Sequence, residues 1–203
     1  MVRACIIGVA IAAAVAPAVV SGPSDQSQSP RWPERASIAV WIDARGAGLP
    51  SADALVERAM TVWTRAAQGR FALEKASARD VAAIRVRFAQ ADGIYGEAAP
   101  RIDRTTGRIS SAEVVIAGAV AGDALQQRIV IYLTALHELG HALGLPHTNA
   151  FDDIMYSFRR PDDGERYFGA YRRRLRSSED IGTDRATGLS AADLAALGAL
   201  YDR

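Results

Sequence analysis

The cleanest pattern along the chain is Ile84–Phe88, where Ile84, Val86 and Phe88 alternate with Arg85 and Arg87. A period of two sends the apolar side chains to one face and the guanidinium groups to the other, which predicts a half-buried strand. Residues 36–42 (ASIAVWI) alternate likewise through Ile38, Val40 and Ile42, and further strands are expected at Phe71–Lys75 and Glu113–Ala117. Helical spacing appears at 52–68, behind Ser51 as a candidate N-cap, with Leu55, Ala59, Val62 and Ala66 on one stripe. It returns at 123–143, where Ile129, Leu133, Leu136 and Leu143 share a face. A closing helix is expected at 190–201, with Ser190 as its cap and Asp193 as the capping-box acid. Residues 92–111, rich in Gly, Asp, Arg and Thr, read as a long surface loop, and a polar, arginine-rich stretch follows Met155 to about 188. There is no internal repeat and no glycine-rich nucleotide loop. The sum is an α+β (mixed α/β) arrangement.

The N-terminus departs from this pattern. Arg3 is followed by a run without charge from Cys5 to Val20, the signature of an export signal, with cleavage favoured after Ser21. Residues 1–21 are therefore expected to be a signal peptide, 22–31 a flexible lead-in and 32–203 one catalytic-size domain, secreted or periplasmic, with no stable membrane insertion after cleavage. Loss of the signal removes one basic residue from the 24, leaving 23 against 23 acidic ones. A neutral chain offers nothing global to steer it to nucleic acid. The single cysteine goes with the signal, so a mature domain cannot rely on disulfides and bound ions become natural supports. Calcium is one such ion, and Asp92, Asp103, Asp123, Asp162 and Asp163 are candidate oxygen ligands, although they lack the regular spacing of a calcium loop.

The three histidines of the chain fall in one string, H137-E-L-G-H141-A-L-G144-L-P-H147. On a helix His137 and His141 stack on one face, about 6 Å apart along the axis, so both imidazoles can reach one cation. Glu138, one residue round, can stand close to the metal without ligating it. Gly144 can take the left-handed conformation that ends a helix, and Pro146 prevents its resumption, so His147 can return to the same metal. Three neutral imidazoles leave a fourth position for water, which is the catalytic pattern and not the structural one. The expected cofactor is one Zn2+.

This string resembles the long zinc motif of the metzincin metallopeptidases, H-E-x-x-H-x-x-G-x-x-H. Met155, in D152-D-I-M-Y156, stands where that clan has its Met-turn, and Thr148 with the Met-Tyr pair is most similar to the matrixins, the matrix metalloproteinase-like branch. Weaker likenesses at Arg31-Trp32-Pro33, Trp63 and L189-S-A-A-D193…L200-Y201 extend it over much of the chain. The resemblance implies a twisted mixed sheet, an active-site helix, a Met-turn and a C-terminal helix, with a substrate cleft between two subdomains. It implies that the strand near 113–117 is the sheet edge on which an extended peptide pairs. The implied activity is that of a monomeric zinc endopeptidase acting on protein or peptide substrates, with Glu138 as general base. The alternatives are a zinc-binding module without turnover and a hydrolase of some other amide.

The chain also departs from the matrixin pattern. No histidine ahead of the motif can serve a second, structural zinc, no cysteine can mask the metal from a pro-segment, and Ser157 replaces the proline after Met-Tyr. Tyr156 is not carried over as a ligand. Residues 157–176 hold seven arginines against three acids. The resemblance places this segment beside the pocket for the residue after the cut, with Phe158, Tyr167, Phe168 and Tyr171 as wall and Arg172, Arg173, Arg174 and Arg176 as a positive rim. That would favour an apolar residue directly after the cut and acidic residues beyond it.

Overall fold

The computed structural model describes residues 29–90 and 95–202. Five strands form one sheet: β1 (Ala36–Asp43), β2 (Phe71–Lys75), β3 (Ile84–Ala89), β4 (Gly96–Ile102) and β5 (Ile109–Ala117). Their order is β2-β1-β3-β5-β4, and every pairing is parallel except β4 on β5. Helix α1 (Ala52–Ala67) links β1 to β2, and α2 (Ala124–Ala142) follows β5. Two shorter helices, α3 (Asp163–Arg172) and α4 (Ala191–Tyr201), complete the chain. The α+β class holds.

Strand β4 corrects two expectations. Part of the 92–111 loop is a strand, paired from Gly96↔Ile116 to Pro100↔Ala112 with an irregularity between Arg101 and Ile102. The sheet edge on this side is consequently β4, because β5 is covered on both sides by β3 and β4; β2 is the other edge. GEAAPRI has no alternating apolar face, so its extended form comes from pairing to β5 and not from local preference. A third correction concerns Ser51, which lies at φ 61° and makes no side-chain cap bond. A capping side chain needs extended backbone at that position, and a left-handed residue cannot present its hydroxyl to the first turn.

Helix α2 is buried nearly all round and not on one stripe, from Ile129 through Leu136. That is the pattern of a helix lying between layers. Trp63 of α1, fully buried, donates its indole N–H to the carbonyl of Leu136 at 2.8 Å. The end of α2 is fixed more firmly. A helix leaves its last carbonyls without internal partners. Here Trp32 Nε1 donates to Ala142 O and Tyr201 Oη to Leu143 O, both at 2.8 Å. Gly144 sits at φ 99°, and a Cβ there would lie 2.2 Å from the carbonyl oxygen of Pro30. Only glycine fits this turn, for conformation and for room. Residues from both ends of the domain thus anchor the turn that carries the third histidine.

Candidate metal centre and active site

The three histidines converge. His147 Nε2 lies 3.3 Å from His137 Nε2 and 3.0 Å from His141 Nε2. They are the one group of His, Cys, Asp or Glu among the described residues whose ligand atoms could share a metal, all within 4.8 Å. The other ring nitrogens fix the tautomers: His137 Nδ1 donates to Ile154 O at 2.5 Å and His141 Nδ1 to Leu145 O at 2.8 Å. Both rings therefore turn a bare Nε2 lone pair toward the same point. Lone pairs held this close repel unless a cation lies between them. Tetrahedral zinc at its usual Zn–N length would put such nitrogens about 3.3 Å apart, close to the two spacings from His147. Burial holds all three imidazoles below their ordinary pKa, His137 lowest at about 3 with help from the His141 charge, so each is neutral and ready to ligate.

Glu138 is 6% exposed, and no described donor reaches its carboxylate. Burial, then the negative charge of Glu97, pushes its pKa up to about 8. Strand β4 passes directly over it: a Cβ on Gly96 would lie 2.8 Å from Glu138 Cγ and 2.6 Å from Thr134 Cγ2. Gly96 lets the open sheet edge approach this carboxylate, a role that the missed strand hid from the sequence.

Met155, 2% exposed, packs against the motif helix at Gly140. Its Sδ would lie 2.4 Å from a Cβ on Gly140, so the glycine between Glu138 and His141 is the socket for the methionine. The turn is tied on three sides. Ile154 O accepts from His137, Thr148 N donates to Met155 O at 2.8 Å, and Ile154 N donates to Asp193 Oδ2 at 2.9 Å. Asp193 also closes the expected capping box with Ser190, whose hydroxyl donates to Asp153 Oδ1 at 2.8 Å. The cap of α4 and the Met-turn are one hydrogen-bonded unit. The Asp193 link to the turn was missed, since capping-box spacing identifies only the local partner. Tyr156 donates to Asp163 at 2.8 Å.

The arginine-rich segment is distributed otherwise than expected. Arg172 forms a double ion pair with Asp123, 2.9 Å at each nitrogen, and so leaves the rim. Arg174 borders a cavity of about 130 Å³ with Leu133, Phe151, Tyr167 and Tyr171. Leu133 lies one turn ahead of His137, and Asp152 joins Arg174 as the polar part of this lining. Phe158 and Phe168 pack edge-on against Tyr95, ring centres 5.9 and 5.0 Å away, and close α3 onto the start of β4. The calcium candidates do not gather. Asp103 accepts from Thr105 N and Thr106 N, Asp123 caps α2, Asp163 is buried at the start of α3, its neighbour Asp162 is exposed and pairs with Arg166, and Asp92 lies outside the described residues.

The family model for matrixin, peptidase M10, matches residues 31–168, two-thirds of the chain and all of the site. The chain belongs to the matrixin family of zinc metallopeptidases. No curated protein matches it.

Proposed function

We propose that this chain is an exported endopeptidase in which His137, His141 and His147 hold one zinc ion and Glu138 is the general base. The observation that carries the reading is the meeting of three Nε2 atoms, two of them bare, next in sequence to a buried, unpartnered carboxylate. Zinc, when bound, supplies a Lewis acid that polarises a carbonyl and acidifies a water. Glu138 accepts the water's proton on its carboxylate and returns it to the leaving amine. Its pKa of about 8 without a cation falls toward the working range when positive charge stands beside it. Strand β4, open along one side, holds an extended peptide by its backbone groups, and Gly96 sets that peptide against Glu138. Arg3 ahead of the uncharged run supports export, with residues 1–21 removed. Among the described residues no helix is long and apolar enough to cross a membrane.

Protein beginning at residue 22 tests the reading. It is expected to cleave casein and a quenched peptide library, to stop on chelation and to resume when zinc is restored. Zinc-loaded protein that cleaves neither would leave a metal-binding module without turnover.

A further inference from the structure

A second cavity, of about 280 Å³, is built from the segments that follow His147 and Met155, and its lining is richer in charge than that of the first. Its lining is Asn149, Phe151, Tyr156, Arg159, Arg160, Asp163 and Arg166. Three arginines share the lining with one buried carboxylate that is already engaged, and Arg166 also stands 3.9 Å from the exposed Asp162, so two acids answer three bases. Asp163, 1% exposed, accepts from Arg159 N at 2.8 Å, Arg160 N at 3.0 Å and Tyr156 Oη at 2.8 Å. It thereby orders the loop that carries two of the arginines. Arg159 donates to Asn149, and Arg166 lies over the Phe151 ring, 4.9 Å from its centre, with Asp163 3.7 Å away. The Arg160 guanidinium, as distinct from its backbone N–H, makes no hydrogen bond or close ion pair among the described residues, and its charge acts on Asp163 through space. The cavity therefore holds excess positive charge on a pre-ordered frame, the arrangement that takes a carboxylate by charge-assisted hydrogen bonds.

Its place relative to the site follows from the chain. Asn149 is two residues past His147, so their Cα atoms are within about 7 Å, and Tyr156 directly follows Met155. The parallel bridge Thr148↔Tyr156 holds the two segments together. An extended peptide advances about 3.3 Å per residue. A side chain a few residues from a bond at the histidines, on one side only, reaches the arginines.

We propose that this cavity is a carboxylate-binding subsite that selects peptides with an acidic group about two to four residues from the scissile bond. The subsite rests on the proteolytic reading above and names its substrate class. The carboxylate can come from a Glu or Asp side chain or from the C-terminus of a short peptide. The residues responsible are Arg160 and Arg166, with Arg159 held by Asn149, and not the Arg172–Arg176 group.

The test is a quenched-peptide series on the zinc-loaded mature enzyme. A single Glu, or isosteric Gln, moves through each position, and each peptide is made with a free or an amidated C-terminus. One position on one side is expected to gain about tenfold in kcat/KM for Glu over Gln, equal to about 1.4 kcal/mol. The gain is expected to shrink between 20 mM and 500 mM salt, where the Debye length falls below about 10 Å. In Arg160→Gln/Arg166→Gln the preference is expected to vanish, while the all-neutral peptide is cut within about twofold of the parent rate. A gain tied to the free C-terminus alone would assign the cavity to terminal carboxylates, still a carboxylate subsite. Equal rates for Glu and Gln at every position, with neutral peptides cleaved, would overturn the subsite and leave the endopeptidase standing. So would a preference that survives in the double variant. Failure to cut any peptide, zinc being bound, would remove the proteolytic reading and the subsite together.

Discussion

Replacing Gly140 with alanine probes the Met155 contact from the helix side. By local preference alone the change should help, since alanine is favoured over glycine inside a helix by about 1 kcal/mol. The packing says otherwise. The new methyl would lie 2.4 Å from Met155 Sδ and 3.2 Å from Trp63 Cζ2, against a normal contact of about 3.5–4.0 Å. Neither neighbour has room to yield: Met155 is 2% exposed, and Trp63, fully buried, is pinned by its bond to Leu136 O. Overpacking of this kind costs about 1–3 kcal/mol, and the severe overlap puts it at the upper end. The net loss is about 1–2 kcal/mol, or about 2–8 °C in Tm for a chain of this size. Urea unfolding in chelator measures the loss without the metal's contribution, and zinc titration then shows whether displacing Met155 loosens the histidines. Met155→Ala alone should cost about 2–5 kcal/mol as a cavity, and less in the Gly140→Ala background, by about 1 kcal/mol or more. A Gly140→Ala protein as stable as the parent, or strictly additive single variants, would refute the claim that glycine is the socket for the methionine.

Other perturbations probe the supports of the site. Gly144→Ala, forced to φ 99° against Pro30 O, should lose about 2 kcal/mol or more in urea and weaken zinc binding, because the turn delivers His147; unchanged affinity would detach the turn from the ligand. Asp193→Ala removes the acceptor of Ile154 N and Ser190 N and should cost about 2–3 kcal/mol, with a fall in zinc affinity larger than Ser190→Ala produces; equal effects would confine Asp193 to capping. The metal-free protein should lose stability as pH falls. The buried His137 imidazole, with a pKa of about 3, resists a proton that the unfolded chain takes up from about 6.5. Its contribution is whole above the unfolded value and is lost as pH drops through the folded one. A His137→Asn protein should accordingly show a shallower slope between pH 6.5 and 3, and parallel slopes would contradict the burial argument.

What the sequence made legible was local. The histidine spacing, the left-handed Gly144 and the capping box of Ser190 and Asp193 each depend on residues within a few positions, and each took the expected form. Strand β4 did not announce itself, because GEAAPRI is held extended by hydrogen bonds to β5 and by the absence of a side chain at Gly96. The identity of the sheet edge went with it. Helix α3 contains two glycines, and its place depends on Phe158 and Phe168 meeting Tyr95 some sixty to seventy residues earlier in the chain. Such contacts have no periodicity to read. The same holds for the arginines: composition located a basic segment, but only folding shows that Arg172 answers Asp123 while Arg159, Arg160 and Arg166 share a cavity.

The central claim separates metal binding from proton transfer, and one paired measurement addresses both. Zinc content and peptide cleavage are determined side by side for the parent protein and Glu138→Gln. The account predicts one zinc per chain in each, with cleavage in the parent and a loss of about 10²-fold or more in the variant. Undiminished cleavage by Glu138→Gln with its zinc in place, or loss of the zinc itself, would contradict the assignment of Glu138 as a base that serves the metal without holding it.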